Sequence, residues 1–96
     1  MVTLETAKGF LRVDGDDEDA FISSLIITAQ SLVEEVLRRG LDTFDEIPGP
    51  IDQAILILTA TLYEERQIKK SKDGIDIATA LDFVKRLLFA YRKEAF

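Results

Sequence analysis

Apolar residues recur every three or four positions along most of this 96-residue chain, and that period predicts helices throughout. A first helix is predicted from about Thr3 to Arg12, with Thr3 as N-cap and Leu4, Ala7, Phe10 and Leu11 on one apolar face. Gly15 and the aspartates around it break that helix. A second helix is predicted from near Asp16 to Gly40, with Ile22, Leu25, Ile26, Ala29, Val33, Val36 and Leu37 as its stripe. Asp17, Glu18 and Asp19 would fill its first turn and Arg38 and Arg39 its last, each suiting the helix dipole by about 0.3–1 kcal/mol when exposed. Gly40 is the expected left-handed residue after this helix. Glu34 precedes Arg38 by four residues, the favourable order for an ion pair.

Residues 41–50 read as a loop closed by Pro48-Gly49-Pro50. Pro50 suits the first turn of a third helix, where a missing N–H costs nothing, and the helix is predicted to run to about Lys70. Its main stripe is Ile51, Ala54, Ile55, Leu58 and Leu62, widened by Leu56 and Ile57. A helix apolar over most of its girth is expected to be central and covered by several neighbours. The β-branched residues Ile55, Ile57, Thr59 and Thr61 point toward a strand, but the length and the proline start favour helix. Lys69 to Gly74 reads as a basic loop, and a fourth helix is predicted over about Asp76 to Lys93, with Ile77, Leu81, Val84, Leu87, Leu88 and Tyr91 inward. The expectation is an all-α, compact bundle of about four helices: short, long, central apolar and C-terminal. All of residues 1–96 are read as one domain.

Composition narrows the function classes. An apolar content of 47% argues against disorder. No uninterrupted apolar run approaches the roughly 20 residues of a membrane span, and no basic-then-apolar start suggests a secretory signal. The chain lacks cysteine and histidine, which removes disulfides, thiolate zinc sites and the commonest general base together. Net charge is −6 and uneven. Residues 1–53 carry twelve acids against four bases, a net of −8; residues 54–96 carry six acids against eight bases, a net of +2. One reading is solubility plus helix-end preference; the other pairs one copy's front half with another copy's back half. The acidic balance disfavours sequence-specific DNA binding, which needs clustered cations.

The candidate chemistry is thin. Asp14, Asp16 and Glu18 alternate like the first ligands of a calcium loop, but the required glycine would fall at Asp19 and the bidentate glutamate at Leu25. Glu34 and Glu35, like Glu64 and Glu65, are adjacent on a helix and splay apart rather than converge on one substrate atom. Ser23, Ser24, Ser31 and Ser71 have no histidine to activate them, and there is no glycine-rich phosphate loop. A helix-turn-helix DNA reader would have to open its recognition helix on Asp16-Asp17-Glu18-Asp19, which phosphates repel. No enzyme, metal or cofactor is expected. Tyr63 and Arg66 admit two roles, a core-edge aromatic with a dipole-complementing cation, or a pair of partner contacts of the kind enriched at interface hot spots.

Several segments line up with one family. Thr3-Leu4-Glu5-Thr6-Ala7-Lys8-Gly9-Phe10-Leu11-Arg12-Val13-Asp14 is followed by an acidic pair and then by Ile22, Leu25, Ile26 and Ala29. Pro48, Ile51, Gln53, Ala54, Ile55 and Leu56 lead on to Tyr63, Glu64 and Arg66, and the chain closes on Val84-Lys85-Arg86-Leu87-Leu88-Phe89-Ala90-Tyr91-Arg92. In order and spacing these motifs resemble the head–tail connector, or adaptor, proteins of long-tailed bacteriophages and prophages, also described as DNA-packaging proteins. The resemblance spans nearly the whole chain. Thr61 stands where the family often has histidine, and a proline usual before the last signature is missing, which leaves Asp76 to Phe83 open between helix and extended arm.

The resemblance implies a non-enzymatic virion protein at the head–tail junction, assembled in the host cytoplasm. It implies a homo-oligomeric ring beneath the portal that extends the DNA channel, retains packaged DNA and docks the next neck or tail-completion protein. Channel DNA would lie close without being gripped, and no membrane is involved. A ring needs two different faces on each copy, which the charge imbalance fits. Candidate subunit or partner contacts are Glu34, Arg38, Tyr63, Glu64, Arg66, Tyr91 and Arg92. The alternative is a small helical interaction module, a phage regulator or assembly factor, that forms no ring.

Overall fold

The computed structural model describes residues 2–67 and 76–91, apart from the side chains of residues 66 and 67. Four α-helices, α1 (Leu4–Leu11), α2 (Asp19–Leu37), α3 (Gly49–Gln67) and α4 (Ile77–Leu87), build an all-α fold, with short 3₁₀ turns at Leu41–Thr43 and Phe89–Tyr91. Among the described residues there is no strand.

α3 is the central helix, packed by α1, α2 and α4. Ile51, Ala54, Ile55 and Leu58 are fully buried on it, facing Ile22, Ala29, Val33 and Leu37 of α2 and Val84 of α4. Burial of each large aliphatic side chain contributes about 1.5–3 kcal/mol, so this seam dominates the stability. The threonines that made α3 look partly strand-like are accommodated as helix. Thr59 and Thr61 are buried, and each hydroxyl donates to the carbonyl four residues back, at 2.7 Å to Ile55 and 2.8 Å to Ile57.

α1 starts where expected: Thr3 Oγ1 accepts from the Thr6 amide at 3.1 Å. It ends on Arg12 in the left-handed region, φ 63°, with Arg12 N–H on Gly9 O and Val13 N–H on Lys8 O, while Val13 packs on the core. That is a Schellman end built without glycine. Phe10, expected on the apolar face, is 47% exposed instead; Ala7 is the fully buried residue of α1. An eight-residue helix has room for a narrow buried stripe, and Phe10 falls beside it.

α2 is shorter than expected at both ends. It begins at Asp19 rather than Asp16, because residues 16–18 form a turn in which the Asp19 amide bonds to Asp16 O. Only Asp19 therefore acts in its first turn. At the far end the left-handed residue is Arg38, φ 60°, and not Gly40, whose φ is −74°. With the helix closed two residues early, no base occupies its last turn. Arg39 instead donates to Thr43 Oγ1 at 2.8 Å and lies 3.9 Å over the Phe44 ring. By length and mean hydropathy α2 could cross a membrane although its apolar residues form no uninterrupted run, since serine and threonine weigh little in such a mean. Its fully buried face against α3 marks it as a core helix of this bundle.

α3 starts one residue before Pro50, with the Ile51 amide on Pro48 O. Its expected end at Lys70 and the basic loop Lys69 to Gly74 lie outside the described residues. α4 is helical from Ile77, so the segment left open between helix and arm is helix. Asp76 caps it by accepting from the Thr79 amide at 2.8 Å, and Glu65 of α3 accepts from the Ile77 amide at 2.8 Å. It stops at Leu87 and gives way to the 3₁₀ turn, short of the expected Lys93, which lies outside the described residues.

Candidate subunit interface

The candidate contact residues do not converge on one patch. Tyr63 lies near the C-terminal end of α3, beside the start of α2, so the two helices run antiparallel. Its hydroxyl donates to Glu18 Oε1 at 2.6 Å, and its ring sits 6.3 Å from that of Phe21. A part-buried bond to a carboxylate is a strong one, and here it ties the central helix to the acidic turn. Glu64 follows as an exposed side chain. Arg66 belongs to α3, but its side chain lies outside the described residues.

Glu34 and Arg38 lie at the other end of α2, about 24 Å from the Tyr63 cluster at 1.5 Å per residue. They do not form the expected ion pair. The left-handed backbone at Arg38 takes its side chain off the helical face, and Glu34 Oε2 accepts the Leu41 amide at 2.7 Å. Glu34 thus closes the loop after α2 by meeting an amide the helix cannot serve. Arg38 is exposed and makes no ion pair among the described residues. It borders a shallow groove of about 210 Å³ together with Glu35, Val36 and Lys85 of α4. Tyr91 sits half-buried on the core in the last 3₁₀ turn; Arg92 lies outside the described residues.

The acidic turn is held from below. Lys8 Nζ lies 2.7 Å from Asp19 Oδ1 and 3.4 Å from Asp16 Oδ1, which clamps α1 onto the start of α2. The Asp19 hydrogen bond, with help from Asp16, raises the Lys8 ammonium above its ordinary 10.5. Among the described residues no three potential ligands come together to hold a metal ion. The arrangement offers cations, carboxylates and aromatics for docking.

The sequence matches the family model described as phage gp6-like head-tail connector protein over residues 1–95. The chain belongs to that family. No curated protein and no solved structure matches it. Connectors are structural phage proteins, so membership implies a role at the head–tail junction of the virion, in contact with the portal and other head or tail proteins. In this connector the Lys8 clamp joins α1 to the start of α2 across the acidic turn, and the Glu18 tether to Tyr63 joins segments 45 residues apart. Periodicity missed both, because spacing along a helix does not report contacts across a turn. It also missed exposed Ile27, Phe83 and Phe89. The signal for Ile27 was present in the uncharged run from residue 20 to residue 33.

Proposed function

We propose that the chain is a non-enzymatic subunit of a ring seated beneath the portal, where it extends the DNA channel, retains packaged DNA and joins head to tail. Membership of the connector family across residues 1–95 carries this reading. The contrast between a front half of net −8 and a back half of net +2 supports it, since a closed ring joins two unlike faces of each copy. A net charge of −6 suits a channel wall that DNA must slide past without being gripped. The portal and the next neck or tail protein are its partners, met in the host cytoplasm during assembly and kept in the virion.

Arg38, Glu64, Arg66, Tyr91 and Arg92 contribute contacts directly in this reading, while Glu34 and Tyr63 act through the segments they hold. Arg66→Ala weakens ring formation more than monomer stability; Tyr63 is the poorer probe because of its internal hydrogen bond. The decisive experiment mixes the purified chain with portal rings and reads stoichiometry by native mass spectrometry and electron microscopy. A closed ring of connector on the portal is expected. Binding of one or two copies, or no binding, overturns the ring and favours a simple interaction module.

A further inference from the structure

The outer face of α2 is unlike a helix face left to water, which is normally charged. Residues 20–33 include no charged side chain, and Ala20, Ser24, Ile27, Thr28 and Ser31 are exposed along one side of the helix at three- and four-residue spacing. Ile27, in the middle, is 65% exposed. The hydroxyls beside it are folded back onto the helix: Ser24 Oγ donates to Phe21 O at 2.6 Å and Thr28 Oγ1 to Ser24 O at 3.1 Å. Donors already satisfied inside the helix lose little when water leaves, so this face can be dried cheaply.

A second unpartnered apolar surface lies late in the chain. Phe83 on α4 is 53% exposed, and Phe89 in the following 3₁₀ turn is 71% exposed. Aromatic rings at such exposure are a common mark of interfaces. Their surroundings differ in charge from those of the α2 face. Near Phe83, exposed Asp82 pairs with Arg86 at 3.2 Å and exposed Lys85 is left as the net positive charge, whereas Asp16 and Asp17 stand exposed just before α2.

We propose that the outer face of α2, centred on Ile27, is covered in the assembly by the Phe83–Phe89 surface of a second copy of this chain. The proposal rests on the ring reading and specifies its contact. One surface offers uncharged residues with an acidic edge; the other offers two aromatic rings with the net positive charge of Lys85 beside the Asp82–Arg86 pair. Their complementarity is of the head-to-tail kind, in which two different patches of one molecule meet. Pairing of α2 with α2 across a twofold axis would leave both phenylalanines wet and Lys85 unmatched.

The absence of cysteine makes a clean crosslinking test available. I27C is mixed with F83C or F89C, the mixture is oxidised, and linked dimers are weighed, with thermal melts showing that each variant keeps its fold. The mixed dimer is expected well above its share under random collision. In parallel, I27D and F89D each fail to assemble alone, while their mixture gives discrete heterodimers, because each pair retains one intact contact. Dominance of I27C homodimers overturns the proposal. So do rings that form normally with I27D and F89D, although those rings uphold the ring reading. A chain that stays monomeric alone and on portal rings overturns both.

Discussion

The two faces of α2 share one helix and the same caps, yet they serve different ends. On the inner face Ile22, Ala29, Val33 and Leu37 are fully buried against α3. On the outer face Ala20, Ser24, Ile27, Thr28 and Ser31 are exposed, and the face carries no charge until Glu35 near the end of the helix. Burial explains why the inner face is apolar. Nothing within one copy explains why the outer face is uncharged, since charged side chains there would be well hydrated and would add solubility. The uncharged stretch on the outer side is the observation on which the proposed contact with a second copy rests.

The contrast is broken most severely from the inner side. Ile55→Ala removes a fully buried side chain of α3 from the seam, and a loss of about 2–5 kcal/mol is expected in chemical denaturation. The bond that anchors α3 to the acidic turn comes next. Tyr63→Phe deletes the hydroxyl on Glu18 and is expected to cost about 1–2 kcal/mol, read from the same denaturation curves. Arg38→Gly relieves a left-handed side-chain residue at the end of α2 and is expected to stabilise the monomer by about 0.5–1 kcal/mol. If Arg38 serves the interface, the same variant assembles less well, so stability and assembly move in opposite directions. Ile27→Ala is expected to change stability by less than about 0.5 kcal/mol while weakening self-association by native mass spectrometry. A large stability loss there would erase the difference between the two faces.

The smallest effect concerns pH. The Thr79 amide, and after it the Thr79 hydroxyl, hold the Asp76 carboxyl below its ordinary 3.8. A depressed value means that the cap's stabilisation is fully present above about pH 4 and fades as pH falls through the folded-state value. Asp76→Asn keeps an acceptor for the Thr79 amide and removes the titration. The acid end of its stability profile is therefore expected to be flatter than that of the parent chain, as measured by thermal melts between neutral and acidic pH.

Much of this was legible in the chain. The α2 and α3 stripes follow their spacing because a helix facing a core has to place apolar side chains every three or four residues. Thr3 was readable as a boundary because a short oxygen-bearing side chain before an amphipathic run meets amides that the helix leaves open; the cap at Asp76 was not, since the missing proline left that segment open between helix and arm. The end of α2 was not readable. Gly40 looked like the left-handed residue, but Glu34 captures the Leu41 amide and Arg39 reaches Thr43 and Phe44, and these contacts bend the chain two residues earlier. The contact candidates were harder still. Glu34 and Tyr63 looked available for partners, whereas both are engaged inside the protein, with Leu41 and Glu18.

The sequence by itself determined four helices, the central place of α3 and membership of the connector family, because each depends on residue order and period alone. Only the tertiary structure decided which apolar residues stay wet. Ile22 and Ile27 are the same residue type on the same helix, yet one is fully buried and the other is exposed, because α3 covers only one side of α2. Local propensity acts through the backbone of a few neighbouring residues and is written in the chain. Exposure depends on which helices arrive from elsewhere, and here it leaves Ile27 and its uncharged neighbours outside the core.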